Sequence, residues 1–162
     1  INDIVLAIPS NGIHSNGYSL VRAIIKKKRI SKKIKKDLLA PTKIYSREIL
    51  KLVEKNLINA AAHITGGGLV ENLLRSTPEN FSLEIDLSKI RIKKIFKWLK
   101  KKKISDEEMM RTFNCGVGFC LIAPPKNLEK IKKVFPKKYC PYKIGEITKN
   151  KKKVILKNDL QW

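Results

Sequence analysis

The feature that most constrains this chain is a run of three consecutive glycines at residues 66–68. An apolar stretch at 59–64 precedes the glycines, and apolar residues at helical spacing follow them within 69–74. Glycine permits positive φ and lets a ligand approach the backbone closely. A glycine loop that opens a helix also directs free N–H groups and the positive end of the helix dipole outward. The segment is therefore either an anion-binding loop or an ordinary turn between a strand and a helix.

The first 25 residues repeat this strand–loop–helix design. The apolar run at 3–8 is typical of a buried strand. Residues 10–17 hold two Asn-Gly pairs, which predicts a structured loop. Helical spacing of apolar residues follows at 18–25, and we expect Ser15 or Asn16 to cap this helix. Polar groups again lie at the start of a helix.

A third glycine-containing turn lies at 112–118, where Asn114 precedes Gly116 and Gly118. The apolar run at 119–123 that follows it is typical of a buried strand. A single Gly-x-Gly pattern also occurs in ordinary turns, so it does not define a site. Neither a Walker A lysine pattern nor a Gly-x-Gly-x-x-Gly sequence is present, so the chain carries no nucleotide fingerprint of its own.

The remaining segments alternate between helical and strand patterns. Helices are predicted at 31–40, at 45–56, near 95–99, near 105–110 and from 125 to 134. In the second of these we expect an inward face of Ile49, Leu50, Leu52 and Val53. Strands are predicted at 81–87, half exposed, and in a closing hairpin of 142–147 and 154–156 across the polar turn 149–152. Ser105 and Glu108 form a capping-box pattern. This interleaving predicts an α+β fold, a mixed β-sheet with helices packed against it.

The charge of the chain invites a nucleic-acid-binding interpretation. The formal net charge is +22, from 36 Lys+Arg against 14 Asp+Glu. Only six of the 36 are arginine, the residue on which base readout depends most, and the lysines are dispersed in short runs such as 26–29, 100–103 and 151–153. We therefore favour a solvated lysine-rich surface without a specific nucleic-acid partner. A basic nucleic-acid-binding domain is the alternative.

The cysteines indicate a reducing compartment. Cys115, Cys120 and Cys140 are an odd number without CxxC spacing, and the chain has only two histidines, which argues against a zinc site or a disulfide framework. No segment is apolar for 18 residues, so we expect no membrane partner. The chain starts at Ile1, inside a strand-like run and without a signal sequence. We expect a cytoplasmic protein whose residues 1–162 form one domain of a longer chain.

Several candidate functional groups lie in these loops. His14 is flanked by small polar residues at a predicted helix start, where it could hydrogen-bond a phosphate, a ribose hydroxyl or a transferring proton, although a structural role is also open. His63 continues an apolar strand and is expected to be buried. Glu71 and Asn72 either complement a helix dipole or contact substrate or a metal. Cys115 has no histidine near it in sequence, so we do not favour it as a nucleophile.

Three motifs occur in order: PSNGIHSNGYSLVR at 9–22, AHITGGGLVEN at 62–72 and EMMRTFNCGVG at 108–118. With PTKIY at 41–45 and IFKW at 95–98, they resemble the C-terminal half of the phosphoribosylformylglycinamidine cyclo-ligase family, the aminoimidazole ribonucleotide synthetases. The resemblance covers essentially the whole chain, through YKIGEI at 142–147. The wider superfamily includes selenophosphate synthetase and formylglycinamidine ribonucleotide synthetase, but HSNG at 14–17 and FNCGVG at 113–118 favour the cyclo-ligase.

The resemblance implies an ATP-dependent ring closure in purine biosynthesis. In this family ATP phosphorylates the amide oxygen of formylglycinamidine ribonucleotide, and the amidine nitrogen then attacks the activated carbon to give aminoimidazole ribonucleotide. The expected cofactors are ATP, Mg²⁺ and a monovalent cation such as K⁺, bound mainly through an N-terminal half. That half also carries the metal-binding acidic residues and forms the homodimer, so the present chain alone is expected to be inactive. The expected fold has α/β/α layers.

The resemblance and the loop chemistry together give a set of expected site residues. His14 is the candidate catalytic residue. The residues expected to bind substrate and phosphate are Asn11, Gly12, Ser15, Asn16, Gly17, Thr65, Gly66, Gly67, Gly68, Glu71, Asn72, Asn114 and Gly116. No metal ligand is predicted within the chain. The sequence departs from the family pattern at Leu73 and Leu74, where the family usually has a proline shortly after the Glu-Asn pair.

Overall fold

The computed structural model describes residues 2–26, 29–151 and 153–162. Within these residues the strands are β1 (Ile4–Pro9), β2 (Ala60–His63), β3 (Phe81–Asp86), β4 (Val117–Ala123), β5 (Tyr142–Lys149) and β6 (Lys153–Lys157). The α-helices are α1 (Tyr18–Ile25), α2 (Lys32–Leu38), α3 (Ser46–Glu54), α4 (Gly68–Arg75), α5 (Lys94–Lys100), α6 (Asp106–Thr112) and α7 (Leu128–Lys132). Residues 27 and 28 of the first lysine run, and residue 152 of the predicted 149–152 turn, lie outside the described residues.

The described strands form a mixed sheet in the order β2-β4-β1-β5-β3-β6. All neighbouring pairs are antiparallel except β3 and β6, which run parallel. The predicted closing hairpin is therefore wrong, because β3 lies between β5 and β6. This order pairs both edges of β3, whose Leu83 and Ile85 are fully buried. It leaves the lysine-bearing β6 at the rim, where charge discourages pairing with other chains.

The side chains of β1 alternate between two apolar layers. Val5 and Ala7 belong to a cluster that contains the buried residues of α1, α2, α4, α5 and α6. Ile4, Leu6 and Ile8 belong to a second cluster that contains those of α3 and α7. Because successive side chains of a strand point to opposite faces, the sheet is covered on both sides. The expected mixed sheet with helices in α/β/α layers is confirmed.

Helix α3 buries fewer side chains than the sequence predicted. Leu52 is buried, but Leu50 and Val53 are 58% and 54% exposed, so their predicted inward orientation is wrong. Tyr45, Ile49 and Leu52 follow the i, i+4, i+7 spacing of one helix face and pack on the sheet. Leu50 and Val53 lie outside that stripe.

The helix caps follow the sequence in part. Ser105 caps α6 as predicted, since its hydroxyl accepts the Glu108 N–H at 3.2 Å. The predicted cap of α1 by Ser15 or Asn16 is wrong: the N-cap residue is Gly17, at φ 76°, and no side chain caps the helix. The helix begins directly after Gly17, and the Ser15 hydroxyl is hydrogen-bonded to Thr42 instead, at 3.2 Å.

Candidate functional site

Three loops meet at one edge of the sheet. β1 ends at Pro9 and β2 ends at His63, whereas β4, which lies between these strands and runs in the opposite direction, begins at Val117. The pairing of Pro9 with Val117, and of the last residue of β2 with β4, aligns these strand ends. The loops attached to them are residues 10–17, 64–67 and 113–116. The three motifs that stood out in the sequence are thus neighbours in space.

Asn114 joins the first and third loops. Its Nδ2 donates to the Gly12 carbonyl at 2.9 Å, and its Oδ1 accepts the Gly116 N–H at 2.9 Å. The Ser10 N–H donates to the Gly116 carbonyl at 2.8 Å. Gly116 has a φ of 109°, and a Cβ at this position would lie 2.6 Å from the Arg91 carbonyl. Asn114 and Gly116 are both buried, so they shape the loops and do not face a ligand.

Asn11 fastens the first loop to its surroundings. Its backbone N–H donates to His14 Nε2 at 3.1 Å, and its side-chain Nδ2 donates to the Pro41 carbonyl at 3.1 Å. Its Oδ1 accepts hydrogen bonds from the Tyr139 hydroxyl at 3.0 Å and from Lys138 Nζ at 3.3 Å. The side-chain amide of Asn11 therefore holds the first loop in place.

The first and second loops adjoin at Asn16 and Gly66. A Cβ built on Gly66 would lie 3.9 Å from Asn16 Oδ1, with no closer neighbour. Gly17 is more tightly constrained, because a Cβ there would lie 2.3 Å from Phe113 Cε1 in addition to the positive φ. Gly66 is exposed and Asn16 is half-buried, so both can reach a molecule bound above the loops.

Asn72 organises the glycine loop from within. Its Nδ2 donates to the Gly68 carbonyl at 2.7 Å and to the Gly66 carbonyl at 3.2 Å, and its Oδ1 accepts the Thr65 hydroxyl at 3.1 Å. Gly67 is the N-cap residue of α4, with a φ of 89° and no side-chain cap. Buried Asn72 therefore fixes the loop conformation, and the backbone from Thr65 to Gly67 is the part that faces outward.

Glu71 and Gly68 have roles within α4. The Glu71 carboxylate forms an exposed ion pair with Arg75 at 3.5 Å and lies over Gly67. A carboxylate in the first turn also complements the helix dipole. Gly68 is buried at a φ of 64°, and a Cβ on it would lie 1.7 Å from the Met110 carbonyl of α6. Gly68 thus permits close packing of two helices.

The two histidines differ in their environments, and that of His63 is not the one expected. His14 is 3% exposed, and its Nε2 accepts the Asn11 N–H, which assigns the ring proton to Nδ1. Burial, with smaller contributions from His63 and Lys93, lowers the pKa of His14 to about 4. His63 is exposed, so its predicted burial is wrong. The physical reason is its position at the end of β2, which lies at the edge of the sheet formed by the described strands.

Four rings form a cluster beneath the loops. His63 stacks on Phe119 with ring centroids 5.5 Å apart and an interplanar angle of 14°. Tyr45 lies 6.0 Å from His63 and 6.1 Å from His14. A Cβ on Gly118 would lie 1.9 Å from the Tyr45 hydroxyl, so this glycine makes room for the cluster. Tyr45, Phe119 and Gly118 were not among the predicted site residues, although Gly118 was visible as the second glycine of the Gly-x-Gly pattern.

Six predicted residues remain on the open side of the loops: Ser15, Asn16, Thr65, Gly66, Gly67 and Glu71, the last of which is paired with Arg75. The Ser15 hydroxyl shares a hydrogen bond with Thr42 at 3.2 Å and is exposed. An open cleft of about 330 Å³ continues from these loops along the outer edge of β2, lined by His63, Asn72 and Arg75 among others. The arrangement offers backbone N–H groups, small polar side chains and one exposed imidazole.

Metal-binding and membrane-spanning features are missing from the part of the chain that the structure describes. No group of three or more His, Cys, Asp or Glu side chains there is suitably placed to hold a metal ion. None of the described helices is long and apolar enough to cross a membrane. Cys115 is buried with its Sγ 3.4 Å from the Met109 carbonyl, and burial raises the pKa of its thiol to about 12.

The fold and the three joined loops define a class of domain. Comparison with known proteins identifies that class. The family model for the C-terminal domain of AIR synthase related proteins matches residues 1–157. The chain belongs to this family. Among curated proteins, phosphoribosylformylglycinamidine cyclo-ligases of Streptococcus pneumoniae, from the serotype 4 strain TIGR4 and from strain Hungary19A-6, are each 40% identical to it over 163 residues. The resemblance drawn from the motifs is confirmed.

These matches cover 95% of this chain and 47% of each relative, so the chain spans about half the length of the curated relatives it matches. Solved structures give the same fold at low identity. Thiamine monophosphate kinase from Aquifex aeolicus is 15% identical with a TM-score of 0.61, and the match covers 99% of this chain and 52% of that one. Thermotoga maritima PurL complexed with FGAR is 11% identical with a TM-score of 0.57, over 91% of this chain and 24% of that one.

Proposed function

We propose that this chain is the substrate- and phosphate-binding C-terminal domain of an ATP-dependent cyclo-ligase. The enzyme would convert formylglycinamidine ribonucleotide to aminoimidazole ribonucleotide in de novo purine biosynthesis. The observation that carries the proposal is the junction of the three family motifs at one sheet edge, held by Asn114 and Asn11. The identity of 40% to curated cyclo-ligases supports the same assignment.

Solvent exposure separates the predicted residues that would contact the substrate from those that would act indirectly. Thr65, Gly66 and Gly67, with Ser15 and Asn16 opposite, would contact the 5′-phosphate and ribose of the substrate, because their backbone or polar groups face outward. The other predicted residues would act indirectly. Those that hold the loops or fit them together are Asn11, Gly12, His14, Gly17, Gly68, Asn72, Asn114 and Gly116, and the remaining residue, Glu71, is paired with Arg75 on α4.

The proposal assigns ATP and metal binding mainly to an N-terminal half. Mg²⁺ and K⁺ are assigned to the same half, because the resemblance places the metal-binding acidic residues there. Solved Thermotoga maritima PurL, which shares the fold, has been captured with AMPPCP and with FGAR. By analogy we propose ATP as the phosphoryl donor, a cytoplasmic homodimer as the working enzyme, and no turnover by this domain alone.

What this chain would supply is positioning and charge neutralisation. Phosphorylation of an amide oxygen places negative charge near the reacting carbon, and preorganised N–H donors stabilise such charge most effectively when they need not move. Asn72 meets this requirement, since it locks the glycine loop through hydrogen bonds to Gly66 and Gly68. A loop fixed in this way can bind the phosphate without reorganising.

The test uses the full-length enzyme that carries this domain, with Gly67→Val as the variant. A branched Cβ at a φ of 89° distorts the loop, so we expect binding of formylglycinamidine ribonucleotide, measured by calorimetry, to be lost while circular dichroism stays unchanged. Asn80→Ala, at an exposed position in the turn before β3 and outside the three loops, is the control. Undiminished turnover in Gly67→Val would contradict the proposal. Turnover of thiamine monophosphate or selenide by the wild type would instead indicate another member of the superfamily.

A further inference from the structure

His63 is the exposed imidazole of the site. It is the last residue of β2, and only Ile64 separates it from Thr65 and the glycine loop. Ala61 and His63 point to the α3 side of the sheet, whereas Ala62 and Ile64 belong to the opposite apolar cluster. The His63 ring is therefore turned away from the core that packs against α4, and His63 is one of the residues that line the open cleft along β2.

His14 is unsuited to exchange protons with a bound molecule. Its ring is almost completely buried, and its Nε2 is occupied by the Asn11 N–H. Its Nδ1 is also buried and has no hydrogen-bond partner among the described residues. The His14 ring centroid lies 6.3 Å from that of His63, so His14 forms part of the wall behind the exposed ring. Of the two imidazoles, only that of His63 is exposed enough to contact a substrate directly.

We propose that His63 accepts the proton released during ring closure, an inference that rests on the proposed function. In that step the amidine nitrogen attacks the carbon that bears the phosphorylated oxygen. A C–N bond forms, the C–O bond to the phosphate breaks, and inorganic phosphate leaves with the electron pair. The nitrogen loses one proton, and the free imidazole nitrogen of His63 takes it. ATP, the phosphoryl donor of the proposed reaction, supplies the activating phosphate.

The surroundings of His63 favour this role. The ring stacks on Phe119, and Tyr45 meets it edge-on with ring centroids 6.0 Å apart, so both contacts restrict its orientation. The titratable rings nearest to it are His14 and Tyr45, whose centroids lie 6.3 and 6.0 Å from that of His63, and the charged Arg75 lines the same cleft. Partial burial lowers the pKa of His63 below its usual 6.5, so the ring is neutral at pH 7 and can accept a proton.

Chemical rescue distinguishes a proton acceptor from a structural side chain. In the full-length enzyme, His63→Ala should lower kcat about 10²–10⁴-fold, the usual range for loss of a general base, with little change in KM. Added imidazole should restore part of kcat because it can occupy the vacated space over Phe119. The acidic limb of the kcat–pH profile should disappear in the variant. A structural role for His63 would produce no rescue and no change in the pH profile.

The controls separate this inference from the proposed function. His14→Asn should lower stability, yet imidazole should not rescue its activity, since the pocket of His14 is closed. If the wild-type enzyme fails to convert formylglycinamidine ribonucleotide, the proposed function is wrong. If the wild type converts it and His63→Ala retains its kcat, or loses it without rescue by imidazole, only the role of His63 is overturned. Circular dichroism and thermal unfolding of each variant show whether it is folded.

Discussion

The side chain of Asn114 donates a hydrogen bond from Nδ2 to the carbonyl oxygen of Gly12 at 2.9 Å, across 102 residues of sequence. Its Oδ1 simultaneously accepts the Gly116 N–H. One buried amide thus holds the loop after β1 against the turn before β4. Without it, a buried carbonyl and a buried N–H would both lack partners, and such groups are costly to leave unsatisfied.

We predict that Asn114→Ala lowers the free energy of unfolding by about 1–3 kcal/mol, the usual penalty for leaving buried polar groups unpaired. Urea denaturation followed by circular dichroism measures the change. Asn80→Ala, in an exposed turn before β3, is the matched control and should change stability by less than about 0.5 kcal/mol. Equal effects in the two variants would mean that the loops are held together by other contacts.

The three glycines of the 66–68 loop should differ in their tolerance of alanine. Gly66→Ala places its Cβ in open space, whereas Gly68→Ala brings one to 1.7 Å from the Met110 backbone carbonyl at a φ of 64°. We expect Gly68→Ala to cost more than 2 kcal/mol, since positive φ alone costs roughly 1–2 kcal/mol for an alanine and the helices must also separate. Gly66→Ala should be near neutral.

Thermal unfolding of both alanine variants tests this order. Gly67→Ala should fall between them, because its positive φ is combined with a clash against the flexible Glu71 side chain only. An equal loss of stability at all three positions would contradict the separate roles that the structure assigns to them. A normal melting temperature for Gly68→Ala would show that α4 and α6 can move apart freely.

Local patterns in the sequence predicted most of the helices and strands. The features that these patterns did not predict depend on contacts between residues distant in sequence. The spacing of apolar residues located α1 and α4, and the glycines marked the loops that meet at the sheet edge. The insertion of β3 between β5 and β6 depends on pairing across 60 or more residues, which no local pattern encodes. The exposure of His63 has a similar origin, since it follows from β2 lying at the edge of the described sheet.

The lysine-rich surface should bind nucleic acid only weakly. A net charge of +22 attracts phosphate backbones at low salt, but we expect no sequence preference. Fluorescence anisotropy with unrelated duplexes at about 50 and 200 mM salt tests this, since counterion release makes such binding fall steeply with salt. Submicromolar binding of one sequence over the others at the higher salt would favour the alternative of a nucleic-acid-binding domain.

Stability should fall as the pH drops from 7 to 5. The pKa of His14 is about 4 in the folded chain and near 6.5 when unfolded, so the unfolded state binds a proton first over this range. The free energy of unfolding is therefore not reduced by His14 above pH 6.5, where the ring is neutral in both states, and it falls progressively below that pH. About 2 kcal/mol should disappear between pH 7 and pH 5. Most carboxyl groups titrate below this window.

Urea denaturation at each pH measures the slope, and His14→Asn is the informative variant. Asparagine tolerates positive φ, and His14 has a φ of 57°, so the backbone conformation can persist. We expect the slope between pH 7 and pH 5 to flatten in this variant. His63→Asn should flatten it less, because His63 is exposed. An unchanged slope in His14→Asn would mean that the buried imidazole does not control this pH dependence.

The three cysteines should differ in their reactivity toward alkylating reagents. Burial raises the pKa of Cys115 to about 12 and raises that of Cys120 above its usual range, so neither forms the reactive thiolate at neutral pH. Cys140 is only partly buried. Intact-mass measurement after treatment with iodoacetamide should therefore show one rapid addition to the native protein and three after denaturation. Cys140→Ser should abolish the rapid addition. Alkylation of Cys115 at the rate of Cys140 would contradict its burial and would restore it as a candidate nucleophile.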